Sequence, residues 1–267
     1  MTGGSRAVWA VLGLVAFGTG AISNERERPL VAAAVPVRFT EGMVHGFLEL
    51  TTEAGVFLAH GDLLQVARNG AVESRMVFHL GKGSVFEETV TFTQHDVFTM
   101  ETYHLVESGP AFENDLDASL SRTGSYVVKT KSHKDGAVNE YAGSLSIPGD
   151  VYNGMMPTIV KNVSAQSSTT VHFVAFMPEP RLVTVELAPS GPQRVALGQH
   201  EESGVTFAVK PKLGFFLRLG AKLTGKLPPD SHIVIVTDDV PAFVRSDGPL
   251  YTGPVWRIAL TAPSASR

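Results

Sequence analysis

Cysteine is absent from the chain. That excludes disulfides, thiolate metal ligands, a cysteine nucleophile and the lipidated cysteine of a bacterial lipoprotein, so the fold must stand on its core alone. Charge is scarce as well: Asp, Glu, Lys and Arg make up 18% of the 267 residues. An ordinary soluble domain carries about 25%, so extra apolar surface is left to be buried or used. The net charge of −4 supplies no basic field for nucleic acid.

Catalytic signatures are missing too. There is no Gly-x-Ser-x-Gly elbow, and Gly81-Lys82-Gly83-Ser84-Val85-Phe86 lacks the third glycine of a dinucleotide fingerprint. His200-Glu201-Glu202-Ser203-Gly204 has glycine where the second histidine of a zinc-protease helix must stand. Asp115-Leu116-Asp117-Ala118-Ser119-Leu120 imitates half a calcium loop, but leucine replaces the turn glycine and Tyr126 the bidentate glutamate; it reads as a solvated acidic turn. The pairs Glu87-Glu88, Glu201-Glu202 and Asp238-Asp239 would point to opposite faces of a strand and so make no acid/base dyad by spacing. His45, His60, His79, His95 and His104 gather in the first five strand-like segments without a local ligand pattern. No catalytic residue, metal ligand set or cofactor is therefore assigned.

What is present begins with an export pattern. Arg6 precedes the apolar run from Ala7 to Phe17, small residues follow, and Ala21-Ile22-Ser23 offers a cleavage site before the charged stretch opening at Asn24. The run is shorter than the ~20 residues a spanning helix needs, so cleavage is expected rather than anchoring. The expected organisation is a signal peptide at 1–23, a lead-in at 24–36, a single β-rich domain at 37–262 and a loose tail at 263–267. A bacterial periplasmic or secreted location follows.

Short apolar or alternating runs separated by turn signals fill the domain, as in sandwiches and barrels. Val44 to Leu50, Val56 to His60 and Leu63 to Arg68 come first, and Asn69-Gly70 is a strong hairpin turn into Val72 to Leu80. Two long alternating strands follow between Val85 and Val106, with Phe86, Glu88, Val90 and Phe92 on one face. Gly124 to Ser132 and Val138 to Ile147 make another hairpin. Further strands are expected at Thr169 to Phe176, Arg181 to Ala188, Arg194 to Gln199, Val205 to Lys210, His232 to Thr237, Ala242 to Arg245 and Val255 to Thr261.

One segment breaks the pattern. From Asp150, placed as an N-cap, the residues Val151, Met155, Ile159 and Val163 recur every four positions, which predicts a helix over 150–163 despite Gly154 and Pro157. Leu213 to Leu227 is a second helical candidate, with Arg218, Lys222 and Lys226 on one side and apolar residues including Phe216 opposite. Lysine stems among phenylalanines suit an anionic membrane surface or lipid head group, or simply a solvated face. Asn162-Val163-Ser164 matches the glycosylation sequon.

The order of these parts, with Ile147-Pro148-Gly149-Asp150-Val151-Tyr152 entering the helix and the closing Asp238 to Pro249 followed by Trp256, resembles uncharacterised bacterial envelope proteins. These are similar in architecture to the half-barrel lipoprotein carriers and receptors of the periplasm. Over Val37 to Leu260 the resemblance implies an all-β fold with minor α content, in which one or two short helices cross the concave side of a curved antiparallel half-barrel or open barrel. By analogy of fold it implies a site for acyl chains; no family site residue is carried over.

The reading that joins these observations is an exported, non-catalytic protein holding a lipid or other apolar small molecule against the mid-chain helix. Tyr152, Met155, Met156 and Ile159 would line the cavity, with Phe215, Phe216, Arg218 and Lys222 at its mouth. The alternative is a structural or adaptor protein of the envelope that binds another protein and has a filled core. A third reading, a hydrolase of unknown type, needs distant His, Asp and Glu residues to meet in one cleft.

Overall fold

The computed structural model describes residues 34–176, 179–197, 200–212, 231–251 and 253–261, all within one compact unit spanning Val31–Arg267. The expected signal peptide, the helical candidate at 213–227 and the tail at 263–267 lie outside the described residues. The strands in chain order are β1 (Val44–Thr52), β2 (Phe57–Arg68), β3 (Ala71–His79), β4 (Val85–Gln94), β5 (Phe98–Ser108), β6 (Asn114–Ser121), β7 (Ser125–Ser132) and β8 (Val138–Ser144). Helix α1 (Met156–Asn162) follows, and then β9 (Thr169–Ala175), β10 (Arg181–Leu197), β11 (His200–Lys212), β12 (Ser231–Val236), β13 (Ala242–Gly248) and β14 (Trp256–Leu260).

All fourteen strands form one sheet in the order β8-β7-β6-β5-β4-β3-β2-β1-β14-β13-β12-β11-β10-β9. Sequence neighbours pair within β1–β8 and within β9–β14, and the two runs join where β1 meets β14, with Leu50 opposite Ile258. The sheet stays open between β8 and β9, and the chain linking those two edges carries α1. This is the curved antiparallel sheet with a helix that the strand pattern and the resemblance imply. Inward residues from both halves and α1 share one core, which includes Leu50, Phe78, Phe92, Leu105, Val128, Ile159, Val185 and Phe207. Across it the rings of Tyr103 and Phe176 stack at 5.9 Å, and Phe112 meets Trp256 at 6.5 Å.

Local physics explains where the strands depart from expectation. Val56–His60 and Leu63–Arg68 join as the single strand β2. Gly61 does not break it, because the missing side chain makes room for the Phe78 ring, which would lie 2.4 Å from an added Cβ. The two segments expected between Arg181 and Gln199 are likewise one strand, β10, with a bulge at Pro189 to Pro192 that absorbs the prolines. The acidic turn expected at Asp115 to Leu120 is instead β6: Leu116, Ala118 and Leu120 are buried while Asp115 and Asp117 face outward. The Asn69-Gly70 hairpin forms with both turn residues at positive φ, 53° and 81°. A register shift between β4 and β5 near Glu101 brings Phe98, Met100, Tyr103 and Leu105 all onto the buried face.

The helix is shorter than the apolar spacing predicts. It starts at Met156 with Met155 at the N-cap, and Pro157 sits in the first turn, where its missing N–H costs no hydrogen bond. Asp150 is not the cap. It lies in a turn, and Val151 after it adds a parallel bridge to β9 at His172, with Tyr152 N–H donating to His172 O and His172 N–H to Asp150 O. Val151, Met155 and Ile159 are still buried together, so the stripe holds although its first turn is not helical.

Candidate functional site

The strap from Asp150 to Asn162 bridges to β9 and supplies part of the wall of two adjoining cavities. Its footing is polar. The Asp150 carboxylate meets His172 Nδ1 at 2.9 Å. Asn153 behaves as an extra peptide unit: its Nδ2 donates to Val174 O and its Oδ1 accepts from Val174 N, each at 2.8 Å. The outer edge of β9 is thereby paired at His172 by backbone and at Val174 by a side chain, which answers the hydrogen-bond demand of an edge strand.

Tyr152 is fully buried; its hydroxyl accepts from Val35 N at 2.8 Å, and burial pushes its pKa up to about 12. At the far end, Asn162 Oδ1 accepts from the backbone N–H groups of Arg38 and Phe39 at 2.9 and 2.8 Å, while its Nδ2 donates to Thr158 O. A buried amide committed on both sides cannot serve as a glycan acceptor in the folded protein, whatever its sequon.

The larger of the two, about 370 Å³, lies between α1 and residues of β13, β14 and β1 to β4. Its wall is mostly apolar, with Leu48, Leu63, Met76, Phe243 and Ile258 prominent. Phe39, Val44, Val240 and Leu260 belong both to this wall and to the exposed apolar residues, and so mark its mouth. Beside the mouth a polar network fixes the lead-in: Glu41 takes Lys161 Nζ at 2.5 Å and Gln65 Nε2 at 2.9 Å, and Gln94 bonds both backbone groups of Glu41. The second cavity, about 260 Å³, shares Met76, Glu88, Gly154, Pro157, Ser246 and Ile258 with the first.

At this shared wall stands Glu88, on the β4 face that also carries Phe86, Val90 and Phe92. Its neighbour Glu87 points the other way and forms a two-pronged pair with Arg75 at 2.7 and 2.9 Å, which holds the Glu87 pKa below the ordinary value. Glu88 is half-buried and lines both cavities. Its Oε1 accepts from the Tyr103 hydroxyl at 2.8 Å. Burial pushes the Glu88 carboxyl up, with the tyrosine bond pulling the other way, and it pushes the Tyr103 phenol well above its usual range. Gly154 packs against Tyr103 and Val90 at φ 71°, where an added Cβ would lie 3.0 Å from the Tyr103 ring.

The expected site residues are distributed between core and cavity. Tyr152 and Met156 line the smaller cavity. Met155 and Ile159 are fully buried in the core and belong to neither cavity wall, because the late helix start turns both toward the packed interior. Phe215, Phe216, Arg218 and Lys222 lie outside the described residues. Sequence reasoning passed over Glu88, although a lone carboxylate on an otherwise apolar strand face was visible in the alternation. Among the described residues no three His, Asp or Glu side chains gather as a metal site; His45, His104 and His133 instead pair singly with Asp62, Asp117 and Asp115.

No protein-family model matches the chain, and no curated protein matches it. Among solved structures it is similar to a beta-barrel-like protein of domain of unknown function DUF1849 from Brucella abortus, with 13% identity over 86% of this chain and 97% of that one and a TM-score of 0.41.

Proposed function

We propose that this chain is an exported, non-catalytic carrier or receptor that holds a lipid or similar apolar molecule between its concave sheet face and the 150–162 strap. The observation that supports this most is the pair of adjoining cavities, about 370 and 260 Å³, with mostly apolar walls and an apolar mouth at Phe39, Val44, Val240 and Leu260. Small-molecule sites commonly span about 300–1,000 Å³ and combine apolar walls with a few convergent polar groups. Each methylene moved from water into such a wall contributes about 0.8 kcal/mol, so a single alkyl chain suffices for useful affinity. The export pattern at the N-terminus fits a periplasmic or secreted setting, and a kinship of architecture with periplasmic half-barrel lipoprotein carriers is part of the same proposal.

One observation favours the adaptor alternative: Met43 (79% exposed), Val240 (70%) and Phe47 (47%) display apolar surface that another envelope protein could cover. Native mass spectrometry of the full chain, expressed in a bacterium and taken as processed there, separates the two. Added mass that solvent extraction resolves into a phospholipid or fatty acyl compound supports the carrier. A clean apo mass, unchanged when dodecyl amphiphiles are added, overturns it.

A further inference from the structure

We infer that the occupant's head group is an ammonium, received by Glu88 where the two cavities meet; this rests on the apolar-ligand reading above and sharpens it. The larger compartment offers a chain a path from Glu88 along Met76, Leu63, Leu48, Phe243 and Ile258 to the mouth. At the inner end of that path stands a carboxyl among apolar side chains. A carboxylate half-buried in an apolar wall gives up hydration that a partner must offset, and the Tyr103 hydroxyl supplies one neutral hydrogen bond, not a charge.

Charges around it are committed elsewhere. From α1, Lys161 reaches Glu41 at 2.5 Å. From β13, Asp247 takes Arg257 at 2.5 Å and Arg245 at 3.5 Å. From β3, Arg75 is bound to Glu87 on the opposite face. The Tyr251 hydroxyl, in the smaller cavity, accepts from Phe176 N–H. Among the described residues the cavity wall therefore directs no cation at Glu88. An anionic head placed there would meet a second negative charge. A cationic head would complete the pair, and the hydroxyls of Ser74 and Ser246 in the same wall provide further acceptors.

The test is a titration of the full chain with three probes of equal chain length: dodecylammonium, dodecan-1-ol and dodecanoate, each below its micelle concentration. We expect wild type to bind dodecylammonium at least about ten-fold tighter than dodecanoate, with dodecanol between them. Glu88→Gln removes that advantage while leaving dodecanol affinity within about two-fold. Dodecanoate binding as tightly as the amine in wild type, or an amine preference that survives Glu88→Gln, overturns the assignment while leaving the cavity intact. Failure of all three probes overturns the cavity reading itself. Circular dichroism of the variant separates a lost head-group contact from a lost fold, and Glu88→Asp, which retains the charge, should keep part of the amine preference.

Discussion

Asn153 allows the strap's attachment to be tested group by group. Its amide satisfies both the N–H and the C=O of Val174, a residue with no exposed surface. Truncation to alanine leaves two buried backbone groups without partners, each costing about 1–3 kcal/mol, so Asn153→Ala should lose about 2–6 kcal/mol. That is a large share of the ~5–15 kcal/mol that holds a typical domain folded. Asn153→Asp keeps the acceptor for Val174 N–H but sets an oxygen against Val174 C=O, so it is destabilised as well. Urea unfolding measures the loss, and amide hydrogen exchange at Val174 locates it. If Asn153→Ala stays within about 0.5 kcal/mol of wild type with the Val174 amide still protected, the side chain is not capping the edge and the reasoning fails.

Two further predictions concern the Glu88 wall. Gly154→Ala forces a side chain into left-handed backbone and against Tyr103, and should cost about 1–3 kcal/mol in denaturant unfolding while weakening dodecanol binding. The Glu88 pKa is raised in the folded state above its ordinary 4.5, so the fold favours the protonated form: its contribution is full below the unfolded value and lost as pH rises through the folded one. Carboxylates held low, such as Glu87, Asp115 and Glu186, act in the opposite sense. The wild-type-minus-Glu88→Gln stability difference isolates Glu88, and it should become less favourable to wild type as urea titrations move upward from about pH 4.

How far the residues announced this structure depended on range. Local turn chemistry marked the Asn69-Gly70 hairpin, and period-two alternation marked β4 and β5. The same alternation ran through Leu116, Ala118 and Leu120, but Asp115 and Asp117 suggested calcium geometry and hid β6. Asp150 misled for a related reason: a carboxylate before an apolar stripe fits an N-cap, whereas here its partner is His172, twenty-two positions on, which only the strand pairing brings near. The closure of β1 on β14 is non-local and carries no local signal. Glu88 was legible as a misfit on an apolar face; that Tyr103 would answer it depended on the β-bulge near Glu101, which sets the phase of β5.

Methionine methyl resonances of the full chain, followed by NMR while dodecan-1-ol is titrated in, test the central claim most directly. Met76 lines both cavities and Met156 the smaller one, whereas Met43 is exposed and Met100 lies in the packed core. The account predicts that the Met76 and Met156 methyls shift together and saturate, with Met43 and Met100 unmoved. Shifts confined to Met43, or none at any methyl, would contradict it.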